Sequence, residues 1–210
     1  MYHGERFNAW THLLGAIAAF IGGIWLVVLA SLDGSPWKIV SVAIYGFTLL
    51  VLYSASTVYH SVRGRKKAIM QKVDHFSIYL LIAGSYTPFG LIIIQGTLGQ
   101  YLLTAVWAFA VVGILAKLIL HDRFPAVSVV SYLVMGWLGI FAVRPLLDAI
   151  GPNAIALIVA GGIAYSLGVV FFPWKSIRHH HAIFHIFVLL GSILHYAAVV
   201  LYVVPYSRSL

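Results

Sequence analysis

The chain carries ten histidines but only five acidic residues, and several of those histidines stand in or beside long apolar runs. Ionisable groups in such surroundings are costly, and they mark functional sites by default. Ser56 and His60 lie four residues apart, as do His181 and His185, so each pair shares one face if its segment is helical. Asp74 opens the apolar run that follows the first pair. Imidazole nitrogens and carboxylate oxygens are ligands for a divalent ion such as Zn²⁺, which takes three protein ligands and keeps an open water position where it does chemistry. Two histidines at this spacing sit about 6 Å apart on a helix, within reach of one ion. The expected metal ligands are therefore His60, His181 and His185. Asp74 is expected beside them, orienting or deprotonating the attacking water. Ser56 is expected to donate a hydrogen bond to the oxyanion that develops. The chain has no cysteine, which excludes disulfides and thiolate metal sites.

These residues need elements to hold them. Of the 210 residues, 62% are hydrophobic and 9% charged, and the mean hydropathy is +1.00. A soluble domain is about one quarter charged, so the chain reads as an integral membrane protein. A spanning helix needs about 20 apolar residues. Seven stretches qualify: Thr11–Ala30, Ile39–Tyr59, Asp74–Ile94, Tyr101–Leu120, Val127–Leu147, Ala154–Phe172 and His181–Val204. Their breaks carry turn chemistry at Asp33-Gly34-Ser35-Pro36, at Gln95 to Gly99, and at Gly151-Pro152-Asn153. The runs are continuous and about twice as long as the strands of a membrane β-barrel, so the expected fold is all-α: a single seven-transmembrane helix bundle over residues 1–210. The first run is too long for a signal-peptide core and is read as a retained span.

Charge orients the bundle. Numbering loops alternately, one side collects Arg6, Arg63, Arg65, Lys66, Lys67, Lys72, Lys117, Arg123, Lys175 and Arg178, and the other only Lys38, Arg144 and Arg208. Basic loops face the cytoplasm, so the N-terminus is expected inside, the C-terminus outside, and the protein in the inner (cytoplasmic) membrane. The net charge of +8 then reflects topology and anionic headgroups, not nucleic acid. With this orientation Ser56, His60, Asp74, His181 and His185 all fall at similar depth near the cytoplasmic face. The helical period did not force that agreement.

The remaining histidines read differently. His179 and His180 fit a helix cap or a snorkelling side chain. His75 points about 100° away from Asp74 on a helix and is not expected as a ligand. His121 adjoins Asp122 and Arg123 and reads as solvated; His3 is terminal. Glu5, Asn8 and His12 share one face, where they either support the site or cap the first helix. His195 lies about 15 Å deeper than His185 at 1.5 Å per residue; it is out of reach of the same ion but placed to line a cavity.

Three blocks carry a family resemblance: Ser54-Ala-Ser56-Thr-Val-Tyr-His60-Ser; Lys72-Val-Asp74-His-Phe-Ser, continuing to Gly84-Ser85-Tyr-Thr-Pro88-Phe; and His181-Ala-Ile-Phe-His185. They resemble the progestin and adipoQ receptor family, above all its bacterial, haemolysin III-like branch, which the opening Glu5-Arg-Phe-Asn8-Ala-Trp-Thr-His12 also resembles. The resemblance implies seven helices with a cytoplasmic N-terminus and a zinc ion near the cytoplasmic face. It implies His60, His181 and His185 as ligands, with Asp74 on the water and Ser56 beside the site. Similarity of the family to ceramidases makes zinc-dependent hydrolysis of a lipid amide the first functional expectation, with membrane lipids, a ceramide-like or fatty-acyl molecule among them, as partners. A non-enzymatic sensor or lipid-homeostasis protein with structural zinc is the second; direct ligation by Asp74 would favour it, since structural sites are closed by four protein ligands. A pore-forming cytolysin is the third and finds little support, because no amphipathic segment suited to self-insertion is present.

Overall fold

The computed structural model describes residues 4–94, 96–120 and 125–207. His3, Gln95, His121, Asp122, Arg123 and Arg208 lie outside the described residues. Those described form helices joined by short turns: α1 (Arg6–Asp33), α2 (Pro36–Ser61), α3 (Gly64–Pro88), α4 (Gly96–Leu120), α5 (Pro125–Trp137), α6 (Val143–Phe171) and α7 (His180–Ala198). A 3₁₀ segment, Leu138–Ala142, joins α5 to α6, and π-helical turns extend α3 over Phe89–Ile94 and α7 over Val199–Val203. Six helical stretches are long and apolar enough to cross a membrane. The fifth, Ala126–Phe171, runs 46 residues, more than twice the length that one crossing requires.

Local chemistry explains the ends. Gly34 closes α1 at φ 73°, a left-handed conformation that glycine adopts without penalty. Pro36 then starts α2, where its missing N–H is not needed. The stretch labelled α6 is two helices that meet at a kink at Gly151, whose φ of 78° and ψ of 174° are not helical, so the helical backbone breaks at the expected Gly151-Pro152-Asn153. Pro88 cannot donate to the preceding turn, and the backbone continues past it as the wider π turn.

One expectation needs correction. The basic stretch before Asp74 is not a loop: α3 begins at Gly64, with Arg63 in the capping position. Asp74 is therefore well inside the helix and does not cap it. Lys66, Lys67 and Lys72 ride on the first turns, where they need no apolar surroundings.

Packing follows membrane rules. The buried face of α1 is Ala9, His12, Gly15, Ala19, Leu26 and Ala30, mostly small residues that let helices approach closely. A Cβ added at Gly46 of α2 would lie 2.9 Å from the Cα of Gly23 on α1, so these two backbones nearly touch. The opposite face of α1 exposes Phe7, Trp10, Leu14, Ile17, Ile21 and Trp25. Apolar stripes of this extent do not face water in soluble proteins; they suit contact with lipid chains. Helix α7 packs against both α6 and α1, and α2 packs between α1 and α3, which brings the functional segments onto adjoining helices.

Candidate metal centre

Helix α2 ends one residue after His60 and α7 begins one residue before His181. The two polar helix ends therefore meet. His60, His181 and His185 each offer a ligand atom, and these atoms all lie within 4.8 Å of one another. His60 and His185 are 2% and 1% exposed, and rings of Phe172 and Phe184 flank His181.

Hydrogen bonds set the tautomers. His60 Nδ1 lies 2.7 Å from Glu5 Oε2, so it donates and leaves Nε2 with the lone pair. His185 Nδ1 lies 3.2 Å from the Asn8 carbonyl and 3.1 Å from Thr11 Oγ1; donation to that carbonyl again leaves Nε2 as the ligating nitrogen. Such partners orient metal-bound histidines and raise their basicity. His181 Nε2 stands 3.3 Å from His60 Nε2. Tetrahedral zinc with Zn–N distances of 2.0–2.1 Å requires a nitrogen–nitrogen edge of about 3.3–3.4 Å. The donor set, the tautomers and this spacing all fit one divalent ion.

Glu5 is the hub of the outer layer. Its Oε2 accepts from His60 and, at 2.7 Å, from Asn8 Nδ2; its Oε1 accepts from Lys67 Nζ at 2.7 Å. Burial by itself raises the pKa of this carboxyl, but the hydrogen bonds from Lys67, Asn8 and His60 outweigh it and hold the value at about 2. Glu5 occupies the capping position of α1 without making a side-chain cap bond; of the two roles open to it, the structure gives it the one at the site. His12 is buried and stacks on His185 with ring centroids 3.5 Å apart. Neither of its nitrogens has a hydrogen-bond partner among the described residues.

Asp74 is half-buried and hydrogen-bonded to Ser56. It is not in the group of mutually close ligand atoms, which among the described residues holds histidines alone. Ser56 has a single O–H, which it gives to the Asp74 carboxylate. Asp74, Ser56, His181, His185 and His12 line a cavity of about 1120 Å³ whose walls are largely apolar and which reaches as far as His195. His195 lines this cavity away from the triad and donates from Nε2 to the Ile158 carbonyl at 3.0 Å.

The other histidines have structural partners. His180 Nδ1 lies 3.2 and 3.0 Å from the carbonyls of Phe171 and Phe172, where it caps the end of α6. His179 precedes α7 in a left-handed conformation. His75 pairs with Lys117, at 3.2 Å. Sequence reasoning missed Thr11 as a partner of His185 and Lys67 as a partner of Glu5. A lysine in a basic run and a threonine at a helix start carry no signal of their own, though Glu5, Asn8 and His12 at intervals of three and four do mark one face.

Comparison with known proteins identifies the family. The family model described as "Haemolysin-III related" matches residues 1–196. The chain is 45% identical over 201 residues to the "Hemolysin-3 homolog" of Bacillus subtilis, covering 95% of this chain and 94% of that one. It is 42% identical over 202 residues to "Hemolysin-3" of Bacillus cereus, covering 96% and 92%. The human "Monocyte to macrophage differentiation factor" is 31% identical over 200 residues, covering 91% and 81%. The chain is a multi-pass membrane protein and belongs to the haemolysin-III-related family, the haemolysin III-like branch of the progestin and adipoQ receptors.

Proposed function

We propose that the protein is a zinc-dependent hydrolase of a lipid amide in the cytoplasmic membrane. The observation that carries this reading is the histidine triad: three imidazoles converge, while the Asp74–Ser56 pair, outside the ligand group among the described residues, shares the wall of a large apolar cavity with His181 and His185. A structural zinc site is closed by four protein ligands; a catalytic site keeps a position free.

Zinc held by His60, His181 and His185 would lower the pKa of water to about 7 and polarise a carbonyl. Asp74, oriented by Ser56, takes one proton from the attacking water at its carboxylate. The hydroxyl adds to the amide carbon, the carbon–nitrogen bond breaks, and Asp74 returns the proton to the leaving nitrogen. The products are a fatty acid and an amine. The cavity, apolar along most of its wall, holds the acyl chain and excludes bulk water.

In this reading the 46-residue stretch crosses twice, turning at the Gly151 kink, so the bundle has seven crossings with the N-terminus in the cytoplasm. The basic first turns of α3 support that orientation. The names of the two Bacillus relatives contain haemolysin; the convergent triad and its proton-transfer pair favour hydrolysis over a pore, for which a polar lining would be needed.

Purified protein assayed for bound zinc and for cleavage of a fluorescent ceramide tests the proposal. Wild type is expected to hold about one zinc per chain and to release fatty acid; Asp74→Asn is expected to retain the zinc and lose turnover. Equal turnover by both, or absence of metal in the wild type, would overturn it.

A further inference from the structure

The far end of the cavity holds a polar group that the hydrolytic chemistry does not use. His195 of α7 lies about 15 Å deeper than His185 at 1.5 Å per residue, or about half of a ~30 Å hydrocarbon core. An imidazole at that depth is costly, and such residues face cavities or partners that serve function. His195 is half-buried and lines the cavity. Its Nε2 lies 3.0 Å from the Ile158 carbonyl, so the neutral ring carries its proton there and Nδ1 keeps a lone pair. Nδ1 has no hydrogen-bond partner among the described residues. Unlike the nitrogens of His12, it is not sealed inside the protein. The backbone does not need this histidine, because the Ile158 carbonyl belongs to the hydrogen-bond ladder of α6. The ring is held in a slot between two helices. A Cβ added at Gly161 of α6 would lie 2.6 Å from His195 Nε2, and one at Gly191 of α7 would lie 2.8 Å from the ring of Tyr165. Tyr165 meets the imidazole edge-on, with ring centroids 5.5 Å apart. The nearby hydroxyls are committed to one another: Tyr53 donates to Ser192 Oγ at 2.6 Å, and Tyr165 pairs with the same oxygen at 2.8 Å. His195 Nδ1 is thus a fixed acceptor with no proton to accept from its neighbours.

We propose that His195 Nδ1 accepts a hydrogen bond from a hydroxyl carried part-way along the chain of a lipid whose polar head lies at the triad. A bare acyl chain leaves this acceptor unpaired, whereas a hydroxyl about 15 Å from the head, the depth of His195 below the triad, satisfies both groups. A hydroxyl elsewhere on the chain meets the largely apolar wall and finds no partner. Sites that hydrogen-bond a ligand hydroxyl discriminate well against ligands that lack it or misplace it. This deepens the reading above by naming the chain of the lipid. It rests on that reading for the polar head lying at the triad, and it requires no turnover.

Full-length protein in neutral detergent is titrated with stearate, 7-hydroxystearate and 12-hydroxystearate, and binding is read by displacement of a fluorescent fatty acid. In an extended chain the hydroxyl of 12-hydroxystearate reaches the depth of His195, and that of 7-hydroxystearate stops along the apolar stretch between. Wild type is expected to bind 12-hydroxystearate at least as tightly as stearate and at least fivefold more tightly than 7-hydroxystearate. His195→Phe is expected to bring the two hydroxy acids within twofold of each other, both weaker than stearate. His195→Asn, whose amide oxygen stands in for Nδ1, is expected to keep a preference of threefold or more. If the phenylalanine variant does not fold, the position dependence in wild type decides. Equal affinity of wild type for the two hydroxy acids, or an unchanged preference in His195→Phe, overturns the proposal. Failure of all three acids to bind removes the lipid cavity and this site with it. Uncleaved ceramide alongside a preference for 12-hydroxystearate counts only against the hydrolase.

Discussion

Removing the carboxylate of Glu5 should loosen the metal without unfolding the bundle. Glu5 Oε2 accepts from His60 Nδ1 at 2.7 Å, and Lys67 braces the other oxygen at the same distance. A hydrogen bond to a charged group contributes about 1.5–3 kcal/mol. Glu5 keeps 23% of its side-chain exposure, so solvent screening places the effect toward the lower end. Loss of such an outer-layer partner weakens metal binding about 10–100-fold. Glu5→Ala is expected within that range, and Glu5→Gln, which keeps an acceptor oxygen, near about tenfold, or about 1.4 kcal/mol. The assay is zinc competition against a chromophoric chelator on purified protein, with circular dichroism to verify helix content. The Lys67→Met change should weaken zinc less, and the double variant should fall short of the sum, because both act through one carboxylate. Acid gives a second handle. The Glu5 carboxyl sits at about 2 against the ordinary 4.5, so the clamp stabilises the fold fully above about pH 4.5 and is lost as the pH falls from there toward 2. A dissociation constant for Glu5→Ala within twofold of wild type, at full helix content, would refute the reasoning.

Three further outcomes follow from the packing and the site. Replacing His60, His181 or His185 singly with Ala should reduce bound zinc well below one per chain by elemental analysis, since each supplies a donor to the same cluster; stoichiometric zinc in all three variants would dissolve the site. Asp74→Asn should cut ceramide cleavage by about 10²–10⁴, the usual contribution of a positioned base, and Ser56→Ala should cut it less, measured under saturating substrate. Gly46→Val should lower the thermal unfolding midpoint, because even a Cβ there meets the Gly23 backbone at 2.9 Å, whereas Gly136→Ala, with nothing within 4 Å of the added atom, should leave it unchanged; overpacking costs typically about 1–3 kcal/mol.

Periodicity and composition carried far in this chain because the bilayer narrows the choices. Backbone groups in lipid must be satisfied within the segment, so long apolar runs become helices, and the helical spacing of His181 and His185 follows from that. Reading failed where a residue's neighbours do not decide its state. The basic run before Asp74 looks like a loop, yet it continues α3, since lysine and arginine form helix well once they are outside the hydrocarbon. The hydrogen bond of Ser56 to Asp74 joins two helices, and spacing along α2 does not reveal it.

The sequence by itself determined that this protein lives in a membrane, that its chain is helical, and which histidines share a helix face, because each of these follows from residue type and a fixed period. Tertiary structure alone decided that the end of α2 meets the start of α7, that Glu5 reaches across to His60 with Lys67 behind it, and that Lys117 finds His75 on a cavity wall. Those contacts join residues separated by 42 to 121 positions, and no local pattern encodes which faces of packed helices will meet; that is settled by how small residues let the backbones close together.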